Sequence, residues 1–195
     1  MRKALIVDCC IRKDKSRTRV LLDAFTSGLN PDIGKETIVL DEENLGYLSG
    51  EFFEQRERLL SEGKLDHPRF RYAHQFAEAD IIVIAAPFWD LSFPALLKVY
   101  IENVSVDGIT FSSGHGGISG ICRATDLVFL TTRGGIYSAG DPMEMGGRYM
   151  EALSRFFGIG SYCCIAADGM DMSSVDTGKS LGEAGEKARA LAASL

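Results

Sequence analysis

Five short apolar runs alternate with helix-forming segments along the chain, and that alternation limits the fold more than any single residue does. The runs are KALIVDC (residues 3–9), KETIVLDE (35–42), DIIVIAAP (80–87), TDLVFLTT (125–132) and SYCCIAA (161–167). Most are near-continuously apolar rather than alternating. Such a strand is buried on both faces, which is the mark of a parallel sheet covered by helices on either side. The segments between them read as helices: RTRVLLDAFTSGL (17–29), GEFFEQRERLLSEG (50–63), PRFRYAHQFAEA (68–79), FPALLKVYIENV (93–104), GGRYMEALSRFFG (146–158) and SLGEAGEKARALAASL (180–195). Gly28 is placed to end the first, and Pro68 stands near the start of the third. Ser92 is placed to cap the 93–104 helix, with Pro94 in its first turn. A doubly wound α/β domain is expected, with its ligand crevice at the carboxyl ends of the strands. GITFSSGHGGISG (108–120) interrupts the pattern as a glycine-rich excursion, read as a small hairpin.

Composition narrows the partners. The 195 residues are expected to form one domain, 1–195, without repeat or linker. A net charge of −6 argues against nucleic acid and against an anionic membrane surface. No apolar run is long enough to span a bilayer, so no membrane association is expected. The start, MRKALIVDCC, has an apolar run too short for a signal peptide and reads as a first strand, so a cytoplasmic location is expected. The five cysteines, Cys9, Cys10, Cys122, Cys163 and Cys164, form no C-x-x-C pair, and the three histidines offer no zinc spacing. No metal site is expected. The vicinal pairs lie in apolar segments and read as buried thiols in a reducing compartment.

Three loops at the crevice end carry the chemistry. The first, IRKDKSRTR (11–19), holds Arg12, Lys13, Lys15, Arg17 and Arg19 against one acid, Asp14, in an acidic chain. It precedes a helix N-terminus, where cations oppose the helix dipole. A bound anion removes that conflict, held by free backbone N–H groups, the hydroxyls of Ser16 and Thr18 and the Arg17 guanidinium. The alternative is a solvated loop with Ser16 as an ordinary N-cap. Neither G-x-x-x-x-G-K-[ST] nor G-x-G-x-x-G is present, so a P-loop and a standard dinucleotide site are disfavoured. The second loop, PFWDLSF (87–93), places the only tryptophan, Trp89, beside Asp90 at the end of a buried strand. The third, TTRGGIY (131–137), has Gly134 and Gly135 to let the backbone approach a flat ligand. A phosphate loop, an aromatic loop and a glycine loop after successive strands together imply a planar ring system with a phosphate tail.

These segments carry a resemblance. APFWDLSFPALLKVYIENV is similar to the pattern P-x-[YW]-N-F-x-x-P-x-x-L-K-x-Y-I-D of the FMN-dependent NADH-azoreductase and NAD(P)H quinone reductase family, of flavodoxin-like fold. GITF, TTRGGIY and FFGIGSYCCIAADGM resemble that family's G-x-T-F, S/T-R-G-G and F-G-x-x-G…A-x-G, in order and spacing to about residue 170. The resemblance implies a flavodoxin-like five-stranded parallel sheet. It implies FMN rather than FAD as cofactor, NADH or NADPH as donor, and a quinone, azo or nitro compound as the small-molecule electron acceptor. Ser16, Arg17 and Thr18 would hold the phosphate, and Cys9 or Cys10 falls near a family serine that also touches it, Cys10 being the candidate contact. Pro87, Phe88, Trp89, Asp90 and Leu91 would lie along the isoalloxazine. Thr132, Arg133, Gly134 and Gly135 would bind its polar edge. Two positions depart from the family: cysteine for serine in the first loop, and Asp90 where asparagine is usual. The flavin carries the chemistry, hydride entering from the nicotinamide and two electrons leaving to the acceptor in alternating half-reactions. No residue is therefore expected to be catalytic in its own right. Tyr137 is a candidate substrate contact; His115 is weighed beside it and read as a surface residue. The resemblance also implies a homodimer. A flavodoxin-type electron carrier and a non-catalytic flavin-binding module are the alternatives.

Overall fold

The computed structural model describes residues 2–114, 116–138 and 140–195. His115 therefore lies outside the described residues. Among them, five parallel strands form one sheet in the order β2-β1-β3-β6-β7: β1 (Lys3–Asp8), β2 (Gly34–Val39), β3 (Ile81–Ala85), β6 (Asp126–Thr132) and β7 (Ser161–Ala167). The remaining pair, β4 (Phe111–Gly114) and β5 (Gly117–Gly120), is an antiparallel hairpin. The six helices of the described residues are α1 (Arg17–Gly28), α2 (Gly50–Ser61), α3 (Arg71–Glu78), α4 (Ala95–Val104), α5 (Met145–Phe156) and α6 (Thr177–Ser194). This is the flavodoxin-like architecture expected from the run of apolar strands. No helix among the described residues is long and apolar enough to cross a membrane.

Period-two side-chain alternation divides each central strand between two cores. On β3, Ile82 and Ile84 join Leu5, Val7, Phe129, Phe76, Leu97, Tyr100 and Phe157 on one face. Ile81, Val83 and Ala85 join Ile6, Leu130, Leu21, Phe25, Ala184 and Ala188 on the other. Each fully buried large side chain contributes roughly 1.5–3 kcal/mol of transfer free energy, so a strand buried on both faces is held twice. Cys9 and Cys10, adjacent in sequence, fall on opposite faces in the same way.

Four of the differences from the sequence reading have a local physical cause. The second strand stops at Val39, and Leu40–Glu42 forms a 3₁₀ turn. Its partner β1 supplies no ladder beyond the Asp8–Val39 pair, because the Cys10 N–H turns back to Asp8 Oδ1. Helix α6 begins three residues earlier than expected, at Thr177, because Asp176 caps it by accepting from the Lys179 N–H. Residues 68–70 form a separate 3₁₀ turn before α3. Ser92 does not cap α4. Pro94 occupies the N-cap position, and the Ser92 backbone is spent on Trp89, with N–H···O bonds of 2.8 and 3.2 Å in the two directions.

That Trp89–Ser92 turn has both central residues at positive φ, Asp90 at +48° and Leu91 at +67°. It is the mirror-image two-residue turn that asparagine and glycine favour. A leucine there is strained by about 1–2 kcal/mol. Lys13, at +52°, is the remaining non-glycine residue with positive φ among the described residues. All three follow carboxyl ends of strands β1 and β3. Strained backbone persists where surrounding structure over-determines it; here the Met145 N–H donates to the Leu91 carbonyl at 3.0 Å and pins the turn to α5.

The hairpin is pinned by contact as well. A Cβ at Gly120 would stand 1.9 Å from the Gly158 nitrogen, so only glycine lets β5 meet the end of α5, where the Cys122 N–H reaches the Phe157 carbonyl.

Replacing Leu91 by isoleucine keeps volume and adds a β-branch at φ +67°, which is poorly tolerated. Urea unfolding of Leu91→Ile should show a further loss of about 1 kcal/mol relative to the parent, and the unbranched Leu91→Met should lose clearly less.

Candidate active site

The carboxyl ends of β1, β3, β6 and β7 converge on one cleft of about 200 Å³. Its floor and walls come from the three loops singled out in the sequence and from a fourth. Arg12, Lys15, Ser16 and Arg17 follow β1; Pro87, Phe88 and Trp89 follow β3; Thr132 and Gly134 end β6; Met170 and Asp171 follow β7. A larger cavity of about 520 Å³ lies on the other side of Arg133. The convergence of chemically matched loops, rather than size, identifies the smaller cleft as the candidate site.

The basic loop is built for an anion. Ser16 stands at the N-cap of α1, and its hydroxyl makes no capping bond but faces the Cys10 thiol. The Arg17 and Thr18 N–H groups open the helix without an intrahelical acceptor. Of the five cations, three are already paired. Arg19 reaches the buried Asp8 at 2.5 Å, Lys13 reaches Asp41 at 3.4 Å, and Arg17 reaches Asp171 at 2.8 Å across the cleft. Arg12 and Lys15 line the cleft with no carboxylate within 4 Å among the described residues. The Asp8–Arg19 pair matters because the other Asp8 oxygen accepts the Cys10 N–H at 2.9 Å, which ties the end of β1 to the first turn of α1.

The aromatic loop forms a half-open wall. Trp89 is 39% exposed on the cleft side. Phe88 packs against Tyr137, ring centroids 4.9 Å apart, and its N–H donates to the Thr132 carbonyl at 3.0 Å. The glycine loop is zipped to the chain after β7: the Gly169, Met170 and Asp171 N–H groups donate to the carbonyls of Gly135, Arg133 and Gly134 at 2.9–3.1 Å. A Cβ on Gly134 would stand 2.6 Å from Asp171 Oδ2, so a larger residue there would displace that carboxylate from the cleft edge.

Seven of the sequence-derived residues thus share the cleft: Ser16, Arg17, Pro87, Phe88, Trp89, Thr132 and Gly134. The others stand around it. Thr18 is fully buried, its hydroxyl 2.7 Å from that of Thr132, joining α1 to β6. Cys10 is buried in the core beneath α1, and burial, with the Asp8 charge next, pushes its thiol well above the usual range. Cys9 rises to about 12 for the same reasons. Neither thiol ionises near neutral pH. Asp90 is exposed at the tip of the turn, and Leu91 sits beside it. Gly135 packs on Tyr137. The Arg133 side chain turns away from the cleft, donating to both Asp168 oxygens at 2.5 and 3.1 Å with Glu144 3.6 Å away.

The sequence reading missed Met170 and Asp171. Their signal was available in principle: they follow a fifth strand, and the carboxyl end of every parallel strand faces the same crevice. Cations around a serine at the N-cap and two helix N–H groups, an aromatic wall, and a glycine edge fit a planar ring with a phosphate tail. Among the described residues no cluster of His, Cys, Asp and Glu is arranged to hold a metal ion.

Comparison with known proteins agrees with this fold. The family described as flavodoxin-like fold matches residues 2–192. The FMN-dependent NADH:quinone oxidoreductase 2 of Clostridium acetobutylicum is 41% identical over 179 residues, 89% of each chain. The FMN-dependent NADH:quinone oxidoreductase of Clostridium beijerinckii is 36% identical over 193 residues, 97% of each chain. Among solved structures, the azoreductase from Bacillus anthracis superposes with a TM-score of 0.87 at 25% identity, covering 100% of both chains. The chain therefore belongs to the flavodoxin-like family that contains the FMN-dependent NADH:quinone oxidoreductases.

Proposed function

We propose that the protein is an FMN-dependent oxidoreductase that uses NADH, or NADPH, to reduce quinones and azo or nitro compounds. The observation that carries this reading is the meeting of the phosphate-type, aromatic and glycine loops at one cleft, in a chain 41% identical to such an enzyme. FMN held in the cleft would supply the redox chemistry, a two-electron exchange between donor and acceptor.

The chain's own residues supply placement. The Ser16 hydroxyl, the Arg17 and Thr18 N–H groups and the cations of Arg12, Lys15 and Arg17 hold the phosphate. Pro87, Phe88 and Trp89 wall the ring. Asp90 and Leu91 act through the shape of the turn, since Asp90 is exposed at its tip. Thr132, Gly134 and Gly135 present backbone to the polar edge of the ring. Arg133 is a positioning residue, tied to Asp168 and Glu144. Cys10 supports the loop from beneath as a neutral thiol. Tyr137, against Phe88, stands where a donor or acceptor enters. We further propose one domain over residues 1–195 acting as a homodimer in the cytoplasm. The half-exposed aromatic wall supports the dimer, and five free cysteines support a reducing compartment.

Purified protein incubated with FMN should take on a bound-flavin spectrum and then oxidise NADH steadily with benzoquinone, giving parallel double-reciprocal lines as the acceptor is varied. Absence of flavin binding at micromolar concentrations would falsify the reading. Bound flavin without steady turnover would leave an electron carrier.

The Arg17–Asp171 pair makes a paired test of the phosphate assignment. Arg17→Ala should weaken FMN binding by about 1.5–3 kcal/mol, the value of a hydrogen bond to a charged group. Asp171→Asn removes an anion that competes for Arg17 and should tighten FMN by up to about 1 kcal/mol. Riboflavin, which lacks the phosphate, should respond little to either change. Equal shifts for both ligands in a fluorescence titration would remove the phosphate role.

A further inference from the structure

We infer that the 520 Å³ cavity beyond Arg133 receives the adenosine diphosphate part of the dinucleotide donor, an inference that rests on the reading of the chain as an NADH oxidoreductase. The cavity lies between the outer edge of β7, helices α5 and α6, and the loop that follows β6. Its volume falls within the range of small-molecule sites.

Position is the first argument. Thr132 and Gly134 face the flavin cleft, whereas Arg133 and Tyr137 face the cavity. The wall between them is the Phe88–Tyr137 ring pair, Phe88 lining the cleft and Tyr137 the cavity. A donor whose nicotinamide lies in the cleft has only that pair to cross. The grooves at α4–α5 and at α2 share neither a residue nor an aromatic contact with the cleft.

Charge is the second. Arg133 is already engaged by Asp168 and Glu144, and Glu151 accepts from Arg155. Arg148 on α5 and Lys187 on α6 also line the cavity, both exposed, and among the described residues neither has a carboxylate within 4 Å. Two unpaired cations converging from different helices suit a pyrophosphate.

The open strand edge is the third. The Ser161 N–H donates to the Thr125 carbonyl and the Arg133 N–H to the Ala167 carbonyl, so the odd-numbered residues of β7 bond to β6. In a parallel ladder the intervening residues Tyr162, Cys164 and Ala166 then direct their N–H and C=O outward. All three line the cavity. The Tyr162 hydroxyl is spent on the Gly147 carbonyl at 2.8 Å, leaving main-chain donors and acceptors side by side, the pattern a purine edge needs.

The test uses the FMN-loaded protein, with ADP as binding probe and NADH compared with reduced nicotinamide mononucleotide, which lacks the adenylyl half. ADP should inhibit competitively against NADH. Arg148→Glu and Lys187→Glu should each weaken ADP binding in calorimetry and raise the NADH KM about tenfold, the loss of one charged contact. The mononucleotide KM, the quinone KM and the thermal midpoint should stay at parent values. Equal KM shifts for both donors, or parent-like ADP binding and NADH KM in both variants, would overturn the site. A protein that oxidises neither donor overturns the activity itself; one that oxidises both, with the variants indistinguishable from the parent, overturns the ADP site alone.

Discussion

Parallel pairing of β1, β3, β6 and β7 in one register determines where every loop of the cleft begins. Asp8 pairs with Ala85, Ala85 with Leu130, and Leu130 with Ile165, so the four strands reach their carboxyl ends at one level. Beyond that level β6 and β7 stay paired for two more residues, to Thr132 and Ala167. The overhang supplies the Thr132 carbonyl that holds Phe88, and the Thr132 hydroxyl that meets Thr18. A one-residue slip would reverse every side chain between the two cores, and burial on both faces forbids it.

Charge around the cleft is arranged so that folding neutralises what it buries and leaves the rest for ligand. Asp8, the deepest acid near the site, is matched by Arg19 and a backbone N–H. Arg133 is matched by Asp168. A buried ion without a partner costs several kcal/mol, so these pairs are structural necessities rather than spare binding capacity. The cations lining these two places without a carboxylate partner among the described residues, Arg12 and Lys15 at the cleft and Arg148 and Lys187 at the neighbouring cavity, are exposed, where an anionic ligand can reach them.

The aromatic wall combines strain with restraint. The turn that carries Trp89 places a leucine at a backbone conformation it disfavours, and the cost is offset by two hydrogen bonds across the turn and a third from α5. Asparagine, which the resembling family pattern carries where this chain has Asp90, tolerates that conformation well. Backbone geometry accounts for a short polar residue at this position.

Much of this was legible in one dimension. Near-continuous apolar strands between amphipathic helices determine a parallel sheet, because only burial on both faces satisfies them. A parallel sheet in turn places all its βα loops at one edge, so the basic, aromatic and glycine loops had to meet. Side-chain direction within those loops was not legible. Arg133 and Gly134 are neighbours in sequence, yet one serves an ion pair with Asp168 and the other a cleft wall. Arg17 meets Asp171 from 154 residues away. Ser92 is sequestered in a turn instead of capping a helix. Local composition sets the period of burial, but a loop residue's direction follows from φ, ψ and partners brought in by distant strands. Only the assembled sheet supplies those partners.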